Sequence, residues 1–100
     1  MDLHLKDKVV VISGAAGKSG SIGETILMRL VDEGAIPAII DRNERGAAYA
    51  EEIRNKGVDA HFCQTDVTDP EQVENAMNEI SKKYGKIDVV LNNVGVNDGV

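Results

Sequence analysis

A glycine-rich stretch near the amino terminus is the first candidate ligand-binding segment of this sequence. From Ser13 to Gly23 the chain reads SGAAGKSGSIG, with glycines at positions 14, 17, 20 and 23. Glycine lets the backbone approach a phosphate closely, and a helix that begins after such a loop presents N–H groups and the positive end of its dipole. The stretch therefore predicts a phosphate-binding turn. The alternative to a phosphate-binding turn is a flexible loop without a ligand, and the surrounding sequence must distinguish between the two.

A carboxylate at the end of the next apolar run supplies that context. Asp41 follows Gly23 at a spacing close to the about 20 residues seen in dinucleotide-binding units. A carboxylate there accepts hydrogen bonds from the adenosine ribose hydroxyls and repels a 2′-phosphate. The pattern predicts a dinucleotide site that takes NAD. Lys18 and Arg42 are the cations that would favour NADP instead.

These residues need elements to position them, and apolar runs that alternate with helix-period segments provide them. Strands are predicted over residues 8–13, 36–41, 60–63 and 87–92. Helices are predicted from Ile22 to a stop at Gly34, over residues 44–56, and from Pro70, capped by Asp69, to Gly85. This order predicts an α/β fold, the first βαβαβαβ portion of a doubly wound parallel sheet of the Rossmann type. The strand order should be 3-2-1-4.

Two finer expectations concern packing. Pro37 should lie near the beginning of its strand, because proline cannot donate a hydrogen bond to a central ladder. The second helix should present an apolar face made mostly of alanine, so that it can pack close to the sheet. That face is predicted to contain Ala47, Ala48, Ala50 and Ile53.

Composition excludes several classes of function. The chain has 100 residues and a formal net charge of −6, which argues against nucleic acid as the main partner. No apolar run approaches the about 20 residues of a membrane span, and the start lacks the apolar region of a signal peptide. The single cysteine, Cys63, is predicted to be buried packing, and His61 packing or surface, without an acidic or cysteine partner. No metal site is expected, and the cytoplasm is the expected compartment.

Four landmarks in order resemble the short-chain dehydrogenase/reductase family over essentially the whole chain. They are Ser13-Gly14 with Ser21-Ile22-Gly23, Asp41, Asp66-Val67, and Asn92-Asn93-Val94-Gly95. The sequence departs from the family pattern in two places. The glycine loop carries extra residues, so that Ser21 replaces the middle glycine once Gly34-Ala35 is aligned with the family's turn. Val94 replaces an alanine.

The resemblance implies cofactor-binding roles for particular residues. Contacts with the pyrophosphate and its ribose are implied for Gly14, Ser21, Ile22 and Gly23, and contacts with the adenosine ribose for Asp41. Asp66 and Val67 would flank the adenine; the alternative for Asp66 is a loop carboxylate or a cap for the third helix. Contacts with the cofactor are also implied for Asn92, Asn93 and Gly95. For Asn92 and Asn93, pure scaffolding is an equal alternative.

The resemblance also implies an activity, namely hydride transfer between a nicotinamide cofactor and a secondary alcohol or carbonyl. Within the family the chain looks most like the sugar-oxidising L-fucose dehydrogenases, on Ala35-Ile36-Pro37 and the segment 92–99 among others. The family's catalytic Tyr-x3-Lys pair is missing, since neither Tyr49 nor Tyr84 is followed by lysine at that spacing. We therefore expect residues 1–100 to be the N-terminal part of a single domain that supplies cofactor binding, within a homotetrameric enzyme. A non-catalytic dinucleotide-binding or redox-sensing module is the alternative.

Overall fold

Four parallel strands form the central sheet of this chain. The computed structural model describes residues 5–14 and 22–92, with the backbone only for Ile22. In chain order the elements are β1 (Val9–Ser13), α1 (Ile22–Asp32), β2 (Ile36–Asp41), α2 (Arg45–Asn55), β3 (His61–Gln64), α3 (Pro70–Tyr84) and β4 (Val89–Asn92). The strand order is β3-β2-β1-β4. The predicted fold class and strand order are confirmed, with element ends shifted by one or two residues.

β1 lies inside the sheet, and every one of its residues is buried. Val10 and Ile12 point to one face and pack in a core with residues of α1 and α2, such as Leu27. Val9 and Val11 point to the other face and pack in a second core with Ala76 and Ile80 of α3. Successive side chains of a strand alternate between faces, so a continuous apolar run satisfies both cores at once. Helices therefore cover both faces of the sheet.

Pro37 occupies the second position of β2, as predicted. The N–H of Ile36 donates to the carbonyl of Lys8 on the β1 side. Because N–H groups alternate along a strand, the nitrogen of Pro37 faces the β3 side. The pairing with β3 begins one residue later, at Ala38↔His61. The missing donor thus falls where no ladder bond is needed.

The buried face of α2 differs from the prediction. Ala47 and Ala48 are exposed, and the buried residues are Gly46, Tyr49, Ala50 and Ile53. Positions three, four and seven residues after Gly46 share its side of the helix, and the two intervening alanines turn toward water. The prediction failed because alanine is a good helix former on either face. Gly46 permits the close approach to β3, since a Cβ there would lie 2.3 Å from Cε1 of Phe62.

The signals at both ends of α3 act as predicted. The carboxylate of Asp69 accepts the backbone N–H of Glu71 at 3.0 Å, and Pro70 occupies the first turn. At the other end Gly85 adopts φ 77°, in the left-handed region that side chains with a Cβ disfavour. Its N–H donates to the carbonyl of Ser81 at 2.7 Å. These caps define the two ends of α3, the helix that connects β3 to β4.

Candidate functional site

The carboxyl ends of β1, β2 and β3 meet at one edge of the sheet and border a cavity of about 280 Å³. It is lined by Gly14, Asp41, Arg42, Thr65, Asp66, Val67 and Thr68. The chain leaves β1 toward β2 on one side, and β4 pairs on the other side of β1. Ligands of open parallel sheets bind in the crevice beyond the carboxyl ends at such a reversal of strand order. Four of the predicted site residues, Gly14, Asp41, Asp66 and Val67, are brought together here.

Gly14 directly follows β1 and has φ 75°, a backbone conformation that favours glycine. It directs the chain into residues 15–21, and α1 begins at Ile22. Gly23 is buried in the first turn of that helix. The first turn of a helix leaves backbone N–H groups without partners inside the helix. The predicted site residue Ser21 and the ambiguous Lys18 lie outside the described residues.

Asp41 closes β2 and is half-buried. Its Oδ1 accepts the backbone N–H of Asn43 at 2.9 Å. Its carbonyl accepts the N–H of Thr65 at 2.9 Å, which joins the end of β2 to the chain after β3. These bonds hold the carboxylate of Asp41 at the cavity wall. A carboxylate in such a position can accept hydrogen bonds from the hydroxyls of a sugar.

Asp66 lies in the loop after β3 and is held by a neighbouring residue. Its Oδ1 accepts the backbone N–H of Thr68 at 2.9 Å and the hydroxyl of Thr68 at 2.6 Å. These two hydrogen bonds lower the pKa of Asp66, and the positive charge of Arg42 acts in the same direction. The suggestion that Asp66 caps α3 is wrong, because Asp69 makes the capping bond. Val67, the next residue, packs against the second core, which contains Ala76 and Ile80 of α3.

Asn92 ends β4 opposite Ser13 in the strand register. Its Oδ1 accepts the hydroxyl of Ser13 at 2.9 Å, which ties the ends of β4 and β1 together. This is the scaffolding contact that the sequence left as one of two alternatives, and buried polar groups such as the Ser13 hydroxyl require it. Asn93 and Gly95, together with Val94, lie outside the described residues.

Two lining residues, Thr65 and Thr68, were not singled out from the sequence, and Arg42 was considered there only as a cation that would favour NADP. Thr65 is buried, and its hydroxyl donates to the carbonyl of Cys63 at 3.0 Å. Thr68 orients Asp66, and Arg42 contributes the one positive charge among the lining residues. Their adjacency to Asp41 and Asp66-Val67 was the available signal. The lining contains neither tyrosine nor lysine, so the described part of the cavity offers binding groups and no tyrosine–lysine pair for proton transfer.

The expectations for His61 and Cys63 need correction. Cys63 is buried, as predicted. However, Nε2 of His61 lies 2.6 Å from Oε2 of Glu79, and Sγ of Cys63 lies 3.2 Å from the same oxygen. The statement that His61 lacks an acidic or cysteine partner is therefore wrong. Alternation along β3 puts residues 61 and 63 on one face, and α3 brings Glu79 across that face.

The sheet topology and the cavity at its carboxyl edge define a Rossmann-type fold. A family model described as short chain dehydrogenase matches residues 8–100. The chain belongs to this short-chain dehydrogenase family.

Relatives and solved structures agree with this assignment. The chain is 35% identical, over 90% of its length, to a 3beta-hydroxysteroid dehydrogenase of Mediterraneibacter gnavus, of which it covers 32%. It is similar to the L-sorbose reductase of Gluconobacter frateurii complexed with NADPH and L-sorbose, with a TM-score of 0.87 and 29% identity; the match covers 98% of this chain and 37% of that one. It also resembles an NAD+-bound xylitol dehydrogenase, with a TM-score of 0.77 and 33% identity, over 86% of this chain and 32% of that one.

The chain spans about a third of the length of the curated relatives it matches. The names of these proteins describe dehydrogenases and reductases, and two of the structures hold a nicotinamide cofactor, NADPH in one and NAD+ in the other. Within the described residues, no helix combines the length and the apolar character that a membrane crossing requires.

Proposed function

We propose that this chain is the cofactor-binding part of an NAD-dependent oxidoreductase, and that the adenosine half of NAD occupies the cavity at the carboxyl edge. The observation that carries the proposal is the carboxylate of Asp41 at the end of β2, on the wall of that cavity. Ligand pockets commonly measure roughly 300–1,000 Å³. A cavity of about 280 Å³ matches one nucleoside half of a dinucleotide better than the whole molecule.

The residues predicted from the sequence to contact the cofactor would divide this binding among them. The Asp41 carboxylate would accept hydrogen bonds from the adenosine ribose hydroxyls. The Asp66 carboxylate would accept one from the adenine amine, with Val67 against the ring. Gly14, Ser21 and Ile22-Gly23 would surround the pyrophosphate with backbone N–H groups at the start of α1. Asn92, Asn93 and Gly95 would border the nicotinamide side.

Among the lining residues, Arg42 opposes NAD specificity, since its guanidinium could pair with the 2′-phosphate of NADP. Arg42 is exposed, whereas Asp41 is half-buried with its carboxylate bonded to the backbone of Asn43. Water and salt screen the charge of the exposed Arg42 more than that of the half-buried Asp41, so the repulsion of a 2′-phosphate by Asp41 should outweigh its attraction to Arg42. The proposal therefore keeps NAD as the cofactor.

When bound, the cofactor supplies a nicotinamide carbon that gives or accepts hydride. The residues of this chain bind and orient the cofactor, and the proton-transfer group, a tyrosine with a neighbouring lysine, would come from elsewhere in the full-length enzyme. The reaction would interconvert a secondary alcohol and a carbonyl. Residues 1–100 would form the N-terminal part of one domain, in a homotetramer that acts in the cytoplasm.

A sugar such as L-fucose is the proposed substrate. The support is the resemblance of residues 92–99 to L-fucose dehydrogenases, together with structural neighbours named for L-sorbose and xylitol. A relative named for a hydroxysteroid points to the competing substrate class. The test is to measure the turnover of L-fucose, other sugars, hydroxysteroids and butanediol by the full-length protein with NAD. The substrate class that is turned over fastest would decide between the two.

The test of the cofactor site is calorimetric titration of NAD and NADP against the full-length protein, its Asp41→Ala variant and the control Asp32→Ala. Asp32 is an exposed carboxylate at the end of α1, outside the cavity lining. A hydrogen bond to a charged group contributes about 1.5–3 kcal/mol, so Asp41→Ala should weaken NAD binding by roughly 10- to 100-fold. Asp32→Ala should bind NAD as the parent does.

Tighter binding of NADP than of NAD by the parent would contradict the cofactor assignment and indicate that Arg42 outweighs Asp41. Absence of binding of both cofactors would overturn the dinucleotide site. NAD binding without turnover of any alcohol, in a full-length sequence lacking a Tyr-x3-Lys pair, would favour the non-catalytic or redox-sensing module.

A further inference from the structure

A cluster of three metal-ligating side chains lies between β3 and α3. His61 and Cys63 belong to β3, and Glu79 belongs to α3. Their ligand atoms, an imidazole nitrogen, a thiol sulfur and a carboxylate oxygen, all lie within 4.8 Å of one another. None of the three residues lines the cofactor cavity. The cofactor assignment gives this cluster no role.

The distances in the cluster are close to those of a metal site. Zinc binds nitrogen and oxygen ligands at about 2.0–2.2 Å and sulfur at about 2.3 Å, so two ligands of one tetrahedral ion lie about 3.5 Å apart. Nε2 of His61 lies 2.6 Å from Oε2 of Glu79, and Sγ of Cys63 lies 3.2 Å from it. Insertion of an ion requires the carboxylate to withdraw by about 1 Å from the imidazole, and the imidazole nitrogen and the sulfur, which lie within 4.8 Å of each other, to take up the same separation of about 3.5 Å.

The cluster is also accessible from water. The side chain of Glu79 is 57% exposed and that of His61 is 19% exposed. Cys63 lies beneath them, buried against the α3 core. Cys63 and Glu79 border an open depression that Gln72 and Asn75 of α3 also line. An ion can therefore enter from the surface, and a water can complete its coordination.

We propose that His61, Cys63 and Glu79 bind one Zn²⁺ ion, with water as the fourth ligand. The donor set decides the metal, because imidazole, thiolate and carboxylate together suit zinc, whereas magnesium and calcium take oxygen ligands. Two of the ligands lie on the same face of β3, and the third lies on α3, which crosses that face. The three side chains can therefore approach one ion from different sides.

Metal binding replaces the hydrogen bonds of the metal-free cluster. In that state burial, with a smaller contribution from the hydrogen bond to Glu79, raises the pKa of the Cys63 thiol to about 12, so sulfur carries its proton. Formation of the Zn–S bond breaks the S–H bond and releases that proton to solvent. No electron is transferred, and zinc stays divalent. The ion would then join β3 to α3 beside Thr65, which accompanies Cys63 in the same depression.

The test is titration of the full-length protein, purified without a histidine tag and freed of metal, with Co²⁺ and then Zn²⁺. Cobalt bound to a thiolate shows a sulfur-to-metal charge-transfer band that a carboxylate or imidazole site does not show. We expect this band to rise to one equivalent of Co²⁺ per chain and to vanish when Zn²⁺ displaces the cobalt. Calorimetry gives the zinc affinity directly.

Two variants test the ligands, and a third serves as their control. Cys63→Ser should abolish the charge-transfer band, and Glu79→Gln should weaken zinc binding at least about tenfold, the minimum loss seen even for outer-shell partners. The matched control is Glu74→Gln, because Glu74 is an exposed carboxylate on the same helix. Glu79→Gln is at the surface and should leave the fold intact, which circular dichroism checks, even if Cys63→Ser does not fold.

A parent protein without the thiolate band would overturn the proposal. So would Glu79→Gln and Glu74→Gln proteins that bind zinc equally well. Because these measurements omit NAD, their outcome is separate from that of the cofactor experiment.

Discussion

Two regions of this molecule hold their carboxylates in different ways. At the cofactor cavity, Asp41 and Asp66 each accept a backbone N–H from a residue two positions further along the chain. Away from the cavity, Glu79 meets a histidine 18 residues away, and Asp88 accepts the N–H of Val9, 79 residues away. Local bonds form wherever the turn forms, whereas distant ones require the packed sheet. The cavity carboxylates should therefore tolerate core damage that separates His61, Cys63 and Glu79.

The largest expected effect comes from Ile80→Ala. Ile80 is fully buried in the core that packs α3 on the sheet, one residue after Glu79. Truncation of a buried isoleucine costs roughly 2–5 kcal/mol, which urea unfolding of the full-length protein would measure. At a urea concentration where the variant is still folded, we expect Zn²⁺ binding to weaken more than NAD binding, because among the described residues Val67 is the one cavity-lining residue that packs against this core. Equal loss of both ligands would remove the distinction between the two regions.

A smaller loss of stability is expected for Asp88→Ala. Oδ2 of Asp88 accepts the N–H of the buried residue Val9 at 2.8 Å and pairs with Nζ of Lys86 at 3.1 Å. The variant leaves the Val9 N–H without its acceptor, so the urea midpoint should fall. Lys86→Ala is the control, because it removes an exposed ion pair that contributes little. If both variants behave alike, the distant hydrogen bond is unimportant.

The pH dependence of Asp88 has a definite sign. The hydrogen bond from Val9 and the bond from Lys86 lower the pKa of Asp88 in the folded protein. The carboxylate therefore stabilises the fold above the unfolded pKa of about 3.9, and this contribution disappears as the pH falls through the folded pKa. Parent and Asp88→Ala proteins should accordingly converge in stability as the medium is acidified. A difference that stays constant down to that range would contradict this.

The smallest effect is expected for Thr68→Val, which removes the hydroxyl donor to Asp66 and keeps the backbone donor. The pKa of Asp66 in the folded protein should rise toward its ordinary value, since the hydroxyl bond is the largest cause of its lowering. A carboxyl-detected NMR titration would measure the change. The cluster of His61, Cys63 and Glu79 should not respond. A shift in cobalt binding would show that the cavity and the cluster are coupled.

Most of the fold could be predicted from the sequence because its elements are signalled locally. The run at β1 is β-branched and apolar throughout, and Asp69-Pro70 and Gly85 mark both ends of α3. The face of α2 could not be predicted from its alanines, which fit either side of a helix. There the burial of Tyr49 and the contact of Gly46 with Phe62 decided the orientation.

Most of the candidate site could likewise be predicted from the sequence. Gly14, Asp41 and Asp66-Val67 end strands or follow them directly, and the carboxyl ends of parallel strands lie at one edge. The presence of Arg42 at the site could also be predicted. Its effect on the choice between NAD and NADP, relative to that of Asp41, depends on the burial and hydrogen bonding of the two side chains.

The sequence alone was enough to predict the alternation of strands and helices, the strand order and the carboxylates at the carboxyl edge of the sheet. These features follow from periodicity, caps and turns, which act over a few residues. Only the tertiary structure decided that His61, Cys63 and Glu79 meet, that Asn92 binds Ser13, and which side of α2 is buried. Such contacts join residues far apart in the chain, and their geometry exists only once both faces of the sheet are packed.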